Sequence, residues 1–393
     1  MFDDMNHRIY LDHAATTPVS DGVIEAMMPY LKDSWGNPSS LHQEGNRARK
    51  ALNLARETLA TYLGGQSGNW TFTASGTEGN NLLIQGWAKQ FEIQAKRHVV
   101  TTAMEHPCVL KPFQALEQKG WCVSYVPLTS EGFVTVEALA AVIRPETRFV
   151  SMMHGNNEVG SLQNLSELGT FLQSKGIWFH TDAVQTVGKM PIDLSILPVD
   201  ALTLSAHKLY GPKGVGALYC RKETPLHSPL LFGGGQESGM RSGTENIAGI
   251  VGLATALREC CDGMASETVR LNALQSKLIE GIKESIPSSL FNGPTDLRYR
   301  VPGNVNFSFP PMQGESLVVK LDMKGFAVSS GSACHSAVIE PSHVLLALGK
   351  SREEAISSLR FSMGRHTQSE HIDVLLEILP NLVAKAQMTR VHK

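Results

Sequence analysis

The sequence predicts an α/β fold in which helices cover both faces of a mostly parallel, doubly wound sheet. Short apolar runs alternate with longer amphipathic stretches, an order typical of parallel strands joined by helices. One such stretch, residues 166–176, repeats apolar side chains every three or four positions and ends at a glycine, as an amphipathic helix does. Seven apolar runs are candidate strands: residues 70–73, 98–102, 122–128, 148–154, 177–182, 201–205 and 215–221.

The order of elements changes after about residue 255, and this change predicts a second, smaller domain. A long helical stretch at 267–286 leads into an apolar run at 301–309 and another helical stretch at 314–324. The chain then ends in a further helical pattern, and such a mixture is typical of α+β packing. We expect a large domain over residues 15–257 and a small α+β domain formed by residues 1–14 and 258–393.

Composition and charge narrow the class of protein. The chain has 393 residues, of which 42% are hydrophobic and 18% charged, and its net charge is −2. A chain of this length can bury a large core. The absence of a basic stripe argues against a direct nucleic-acid partner. The N-terminus lacks a signal-peptide pattern and no run of about eighteen apolar residues occurs, so we expect a cytoplasmic location and no membrane contact.

Six cysteines occur, and none has the spacing of a redox or zinc motif. We therefore expect neither a disulfide framework nor a metal site. Packing explains five of them, and Cys122 and Cys220 lie in apolar runs typical of core strands. Cys334 differs because it lies in SSGSACHSAV, a composition typical of exposed loops. It is either an incidental surface cysteine or a reactive thiol.

Polar side chains follow five of the predicted strands, where a functional site is expected. Ligands of open α/β sheets bind beyond the carboxyl ends of the strands. Polar groups that converge on one sheet edge from five strands indicate a built site. The residues concerned are Thr77, His106, Asn157, Asp182 with Gln185, and His207 with Lys208.

The stretch SGTEGNN, residues 75–81, combines small residues with a plausible helix start. Free N–H groups at a helix N-terminus bind anions, and the Thr77 hydroxyl can add a hydrogen bond. Taken alone, the stretch is more typical of a plain helix cap by Ser75 or Thr77, with Glu78 nearby. The chain has neither a P-loop nor a G-x-G-x-x-G pattern, so a bound phosphate would not belong to a nucleoside triphosphate or a dinucleotide.

Asp182 and Lys208 supply two groups that a pyridoxal-type cofactor requires. A carboxylate directly after an apolar strand is costly unless it is paired, and a protonated heteroaromatic nitrogen is a suitable partner. A lysine amine kept neutral by burial can bond covalently to an aldehyde. Taken singly, Asp182 could be a helix cap and Lys208 a surface lysine. Together with an anion site and a histidine at 106 that can stack on a ring, they indicate pyridoxal phosphate.

Arg360 lies in SLRFSMGR, an apolar and strand-like stretch. An arginine in such a place usually binds a carboxylate through two hydrogen bonds. That carboxylate could belong to a substrate amino acid or to a structural ion pair, and the sequence leaves both open.

Nine motifs occur in a fixed order from residue 10 to about residue 365: YLDHAATTP, GNPSSLH, SGTEGNN, HGNNEVG, HTDAVQTVGKMPID, SAHKLYGPKGVGALY, GGGQESGMRSGTEN, SSGSACHSAVIEPSH and LRFSMGR. This combination resembles the cysteine desulfurases, which are pyridoxal-phosphate enzymes of aminotransferase class V and fold type I. The resemblance covers nearly the whole chain. It implies a large domain built on a mostly parallel seven-stranded sheet.

The resemblance implies a cofactor role for most of the candidate residues. Lys208 would hold the cofactor covalently and Asp182 would pair with the ring nitrogen. His106 would stack on the ring and share in proton transfer, and Gln185 would contact the ring oxygen. The phosphate would be held by Gly76, Thr77, Ser205, His207 and, from the partner subunit of a homodimer, Thr244.

The resemblance also implies the reaction and its partners. Asn157 would contact the cofactor and the substrate region, and Arg360 would bind the carboxylate of L-cysteine. Cys334 would attack the substrate sulfur, leaving L-alanine and a persulfide. The long segment between SSGSAC and EPSH is similar to the group that supplies iron–sulfur cluster assembly and tRNA thiolation, so sulfur-acceptor proteins are the expected partners. His335 departs from the small hydroxyl residue more usual in the family.

Two other functions stay open at this point. A lyase on the same scaffold, acting on selenocysteine or needing no thiol, would not depend on Cys334. A scaffold protein that binds sulfur acceptors and has a vestigial cofactor site would not need Lys208, Asp182 or His106, and all three are present.

Overall fold

The structure is a computed structural model that describes residues 8–91, 97–221, 228–331 and 340–391. Cys334 and His335 therefore lie outside the described residues. The strands are β1 (Ile9–Tyr10), β2 (Trp70–Thr73), β3 (His98–Thr102), β4 (Cys122–Val126), β5 (Thr147–Met153), β6 (Trp178–Asp182), β7 (Ala201–Ser205), β8 (Gly216–Cys220), β9 (Leu290–Phe291), β10 (Asn304–Ser308), β11 (Phe326–Ala327), β12 (Ser329–Ser330) and β13 (Ser358–Ser362).

Helices connect most of these strands. They are α1 (Asp21–Lys32), α2 (Gln43–Leu63), α3 (Gly76–Lys89), α4 (Pro107–Gln118), α5 (Val136–Val142), α6 (Leu165–Ser174), α7 (Ile247–Asp262), α8 (Met264–Ser285), α9 (Gly314–Asp322), α10 (His343–Ala347), α11 (Arg352–Ile356) and α12 (Ser369–Val391). None of the helices in the described ranges is both long and apolar enough to cross a membrane.

The large sheet has seven strands in the order β2-β8-β7-β6-β5-β3-β4. Strands β7, β6, β5, β3 and β4 pair in parallel, whereas β8 is antiparallel to both of its neighbours. Each predicted apolar run corresponds to one of these strands, so the predicted α/β class with a mostly parallel sheet is confirmed. The central strands are apolar on both sides because both faces of the sheet are covered.

Alternating side chains build one core on each face of the sheet. Val100 and Val150 pack with α2, α6 and α7 on one face. Their neighbours Val99 and Phe149 pack with α3 and α4 on the other face. Successive strand residues point to opposite faces, so each central strand contributes to both cores.

A second layer contains the four-stranded antiparallel sheet β12-β13-β10-β9. Its core joins residues of α8, α9 and α12, among them Leu278, Phe307 and Phe361. Strand β1 pairs in parallel with β11, so Ile9 lies opposite Phe326. The predicted helices and the strand of this region occur as α8, α9 and β10. The domain boundary at residue 257 stays a prediction, consistent with the change of core between α7 and α8.

The expectation that Cys122 is a core residue is wrong. It is exposed and begins β4, the edge strand of the large sheet. The Nη1 atom of Arg144 lies 2.9 Å from its sulfur. Periodicity indicates that a run is a strand but not that the strand lies at an edge, and this explains the error. Cys220, on an inner strand, is partly buried.

Candidate active site

A cavity of about 420 Å³ opens at the carboxyl ends of β3, β5, β6 and β7 and at the start of α3. The polar groups predicted to converge on one edge of the sheet line this cavity. The candidate residues that line it are Gly76, Thr77, His106, Asn157, Asp182, Gln185, Ser205, His207, Lys208 and Arg360.

Asp182 ends β6 and is buried in the floor of this cavity. Its Oδ2 atom accepts a hydrogen bond from Asn80 Nδ2 (2.7 Å), and its Oδ1 atom accepts one from the backbone N–H of Val184 (3.0 Å). Within the described part of the chain, no lysine or arginine forms an ion pair with it. The carboxylate is therefore oriented but not neutralised, as a partner for a cationic ring nitrogen should be.

Lys208 follows β7 on a short helical turn and faces the same cavity. Its Nζ atom donates hydrogen bonds to the backbone oxygens of Ala14 (2.7 Å) and Ala15 (2.6 Å). Burial above all, together with the positive charges of Arg360 and Lys189, lowers the pKa of Lys208 to about 7. A large share of the amine is thus neutral near neutral pH, which attack on an aldehyde requires. The alternative of a surface lysine does not hold.

His106 is the N-cap of α4 and is open to the cavity. Its Nδ1 atom accepts a hydrogen bond from the backbone N–H of Cys108 (3.2 Å). The surrounding protein removes water from the ring, and this desolvation, together with the charge of Lys208, lowers the pKa of His106. A neutral imidazole can stack on a ring and accept a proton.

The sequence predicted that Cys108 is a packing residue, but the structure gives it a further position at the cavity. It lines the cavity, where its Sγ atom lies 2.9 Å from His106 Nδ1 and 3.8 Å from Asp182 Oδ2. Burial raises the pKa of Cys108 to about 12, so the thiol stays protonated and acts as a weak donor.

The start of α3 is built to receive an anion. The Ser75 hydroxyl caps the helix by accepting a hydrogen bond from the N–H of Glu78 (3.2 Å), so the helix cap predicted as one possibility is present. The first N–H groups of the helix have no acceptor within the helix. A Cβ atom on Gly76 would lie 2.8 Å from Val184 Cγ2, so the close approach of the two segments requires glycine. Thr77 and Ser205 add hydroxyl groups at this end of the cavity.

His207 lies next to these hydroxyl groups, and its Nδ1 atom lies 3.1 Å from Thr16 Oγ1. Burial above all, together with the charges of Lys208 and Lys213, lowers the pKa of His207 to about 4. The ring is therefore neutral at physiological pH. It can offer an N–H group to a phosphate oxygen but no positive charge.

Arg360 lies on β13 at the opposite wall of the cavity and is 8% exposed. Its Nη2 atom donates to Asp12 Oδ1 (2.8 Å) and its Nη1 atom to the backbone oxygen of Asn157 (3.1 Å). The structural ion pair that the sequence left open is therefore present. The Nε atom is buried and has no partner among the described residues, so one donor remains for a ligand.

Two candidate residues are not found at the cavity. Thr244 is exposed and does not line it, and the role inferred for Thr244 belongs to a partner subunit. Cys334 lies outside the described residues. Asn80 has no predicted role, although it occurs in the SGTEGNN motif. A polar residue one helical turn after Gly76, facing the sheet, is the signal that could have found it.

The cavity fits a flat cofactor with an aldehyde, a basic ring nitrogen and a phosphate group. Lys208 can bond to the aldehyde. Asp182, in the floor of the cavity, has no cationic partner among the described residues and can pair with the ring nitrogen. The start of α3, where Gly76 allows a close approach, can hold the phosphate. A seven-stranded, mostly parallel sheet with these groups at its carboxyl edge defines a pyridoxal-phosphate enzyme of fold type I.

Comparison with known proteins gives the family. The family model of aminotransferase class-V matches residues 9–375. The cysteine desulfurase IscS of Dictyoglomus turgidum is 43% identical over 389 residues, which is 99% of this chain and 98% of that protein. The chain belongs to the cysteine desulfurases of aminotransferase class V, and its cofactor is pyridoxal phosphate.

Solved structures agree with this assignment. A NifS-like protein superposes with a TM-score of 0.90 at 36% identity, covering 96% of this chain and 99% of that one. A second structure, SspA in complex with cysteine, superposes with a TM-score of 0.78 at 36% identity, covering 90% and 98%. The similarity thus extends over both sheets and is not limited to the cavity.

Proposed function

We propose that the chain converts L-cysteine into L-alanine and leaves the sulfur as a persulfide on Cys334. The observation that supports this most directly is the convergence at one cavity of a near-neutral lysine, an uncompensated carboxylate, an anion-binding helix start and an arginine with a free donor. The structural relative SspA, described above, is in complex with cysteine.

The residues of the cavity divide the work of the reaction. Pyridoxal phosphate, when bound, serves as an electron sink for the α-carbon of the amino acid. Asp182 keeps the ring nitrogen protonated, and Arg360 binds the substrate carboxylate through its free Nε donor. Lys208 and His106, both with lowered pKa values, can accept the proton of the α-carbon.

Sulfur transfer then needs one nucleophile, for which we propose Cys334. Its thiolate attacks the substrate sulfur, so that a sulfur–sulfur bond forms and the carbon–sulfur bond breaks. The electron pair of the broken bond stays with the carbon fragment, which takes up a proton and leaves as alanine. No external oxidant is required. A thiol reductant, or the thiol of an acceptor protein, then removes the outer sulfur atom.

The chain is proposed to work as a homodimer. Three large apolar side chains are exposed in the single chain: Trp35 (73%), Leu41 (87%) and Phe232 (81%). Exposed apolar groups of this size often mark a surface that another protein covers. Thr244 lies in the same exposed stretch as Phe232, beyond the lining of its own subunit's cavity. A second subunit seated there would bring Thr244 to the phosphate of the neighbouring cofactor.

The sulfur acceptors are proposed to be proteins of iron–sulfur cluster assembly or of tRNA thiolation, and the proposed location is the cytoplasm. This part rests on the resemblance of the Cys334 segment to the group with a long catalytic loop. Transfer of labelled sulfur from the loaded enzyme to purified acceptors of the two kinds would decide between them.

The reaction is tested by incubating the holoenzyme with L-cysteine and a reductant and measuring alanine and sulfide. Equal amounts of the two products are expected. Cys334→Ser should keep the visible absorbance of the cofactor and its change on addition of L-cysteine, but release no sulfide. If Cys334→Ser releases sulfide at the wild-type rate, the nucleophile assignment is wrong and a thiol-independent lyase, assayed with selenocysteine, takes its place.

A further inference from the structure

Both ends of the segment that carries Cys334 meet on one buried carboxylate. Gly331 precedes this segment and Ser342 follows it closely. The Ser342 hydroxyl donates a hydrogen bond to Glu158 Oε2 (2.5 Å). A Cβ atom on Gly331 would lie 3.0 Å from the same oxygen and 3.1 Å from Ser342 Cβ. The described residues on either side of the segment therefore meet at one point, which we call the neck (Gly331, Ser342 and Glu158).

The neck is held by several independent bonds. The backbone N–H of Glu158 donates to Asn156 Oδ1 (2.8 Å), and its backbone oxygen accepts from Asn306 Nδ2 (3.2 Å). The Ser342 hydroxyl also accepts from the N–H of Leu345 (3.2 Å) and so caps α10. Both neck side chains are buried, Glu158 at 9% and Ser342 at 2% exposure. The carboxylate thus joins the loop after β5 to the start of α10.

The neck adjoins the wall of the active-site cavity. Asn157, the residue before Glu158, lines the cavity and accepts a hydrogen bond from Arg360. On the other side, β12 pairs with β13 so that Ser329, two residues before Gly331, lies opposite Arg360. The start of the Cys334 segment is therefore fixed next to the residue proposed to hold the substrate carboxylate.

Chain geometry makes the position of the neck important. Cys334 follows Gly331 by three residues, and three fully extended residues span at most about 10 Å. From Ser342 the distance along the chain is eight residues, about 28 Å when extended. The shorter connection, from Gly331 to Cys334, therefore limits the positions that the thiol can reach. A displacement of Gly331 by about 1 Å shifts all the positions that the Cys334 thiol can reach. A misplacement of that size can reduce a reaction rate about 100-fold.

We propose that Glu158 is a positioning residue for sulfur transfer, which fixes the neck so that Cys334 starts within reach of the substrate sulfur. Glu158 does not line the cavity and so acts through the segment. The inference rests on the proposed role of Cys334 as the nucleophile. It adds that the carboxylate, rather than the segment alone, determines whether the thiol arrives in the right place.

The test separates substrate binding from sulfur transfer. Glu158→Ala should slow alanine formation in a single turnover by about 10- to 100-fold. The L-cysteine concentration that gives half of the change in the cofactor spectrum should stay the same. Glu158→Gln keeps an acceptor for the Ser342 hydroxyl and should react at nearly the wild-type rate.

Three further variants complete the design. Gly331→Ala would place a Cβ atom 2.7 Å from Ser358 Oγ and so push the neck apart, and it should slow the same step. Ser342→Ala keeps the Glu158 carboxylate but removes its hydrogen-bond partner. It should also slow alanine formation in a single turnover. The control is Thr147→Ala, which removes a buried hydroxyl at the start of β5, away from the neck, that accepts a hydrogen bond from the backbone N–H of Arg144 (2.8 Å). It should leave single-turnover alanine formation unchanged.

The outcomes distinguish this inference from the proposed function. If Cys334→Ala forms alanine at the wild-type rate, the proposed function is wrong. If Cys334→Ala is inactive but Glu158→Ala and Gly331→Ala react normally, only the positioning role is overturned. Loss of the spectral response in parallel with loss of rate would also overturn it, because Glu158 would then act on substrate binding. Should Glu158→Ala fail to fold, Gly331→Ala and Ser342→Ala provide the same measurement.

Discussion

Lys208 lies among charges that oppose one another. Arg360 and Lys189 lower the pKa of its amine after burial has done so, whereas Asp12 and Asp182 raise it. Lys189 is partly buried near Cys260, and it shares with Lys208 the wall of a second cavity of about 310 Å³ behind the active site. Lys189 is thus placed to favour the neutral form of Lys208.

This arrangement predicts the pH dependence of cofactor attachment. With a pKa of about 7, the rate at which the apoenzyme attaches pyridoxal phosphate should rise with pH and level off soon above neutrality. Lys189→Met removes a nearby positive charge, so the midpoint of this profile should move up by about half a pH unit or more. The measurement is the rate at which visible absorbance appears, from about pH 6 to 9.

Lys189→Arg serves as the matched control, because it keeps the charge and should keep the midpoint. A midpoint that is unchanged in Lys189→Met would contradict the prediction. Equal shifts in both variants would mean that Lys189 acts by packing and not by charge.

At the scale of single residues, the sequence predicted the groups that directly follow strands. Asp182 and Lys208 could be placed because their position relative to an apolar run is a local property. Asn80 carries a weaker signal, as a polar residue one helical turn after Gly76. Cys108 could not be placed, because it reaches Asp182 only through the packing of α4 against the sheet. The bonds of Arg360 to Asp12 and Asn157 join distant parts of the chain and were equally hidden.

Strands β5, β6 and β7 are joined by the side chain of His180 as well as by their backbones. Its Nδ1 atom lies 2.8 Å from Ser151 Oγ on β5, and its Nε2 atom lies 3.1 Å from Thr203 Oγ1 on β7. Burial lowers the pKa of His180 to about 3. A neutral imidazole therefore bridges the centre of the sheet.

This bridge predicts a loss of stability in mild acid. The unfolded chain takes up a proton on this histidine near pH 6.5, whereas the folded chain resists protonation down to about pH 3. The contribution is therefore complete above pH 6.5 and is lost as pH falls toward the folded pKa. It should reduce the free energy of unfolding by about 2 kcal/mol between pH 7.5 and 5.

The measurement is urea unfolding of the wild type and of His180→Gln at both pH values. The variant should be less stable at pH 7.5 but should lose less stability on acidification. His366→Gln, which changes an exposed histidine, should behave as the wild type does. A wild type and a His180→Gln variant with the same pH dependence would contradict the prediction.

At the scale of elements, the strands were predicted more accurately than their arrangement. Apolar runs and turn residues are local, and they predicted all seven strands of the large sheet together with α6, α8 and α9. The order β2-β8-β7-β6-β5-β3-β4 depends on long-range pairing. The exposed position of Cys122 on the edge strand follows from that order, which is why the sequence misplaced it.

The whole molecule is expected to be a dimer whose interface includes the exposed apolar residues near Thr244. Phe232→Glu would place a charge in that interface, so it should shift the sedimentation coefficient from dimer to monomer and speed the loss of cofactor on dialysis. Thr244→Ala should weaken cofactor retention without dissociating the dimer.

The matched control is Met323→Glu, at a residue of α9 that is 81% exposed. It should leave both the sedimentation coefficient and cofactor retention unchanged. A wild-type chain that sediments as a monomer and still retains its cofactor would contradict the proposed dimer.

The cavity draws its residues from both ends of the chain, and this has a consequence for biosynthesis. Ala14 and Ala15 accept the hydrogen bonds of Lys208, and Asp12 binds Arg360, which is 348 residues further along the chain. While the ribosome is still translating, the lysine and the aspartate can emerge and fold into the sheet, but the wall that carries Arg360 is missing. The part of the cavity that would bind the substrate carboxylate is therefore complete only when synthesis is nearly finished. A chain released before residue 360 would keep the residues that hold the cofactor but would lack the arginine proposed to bind the substrate.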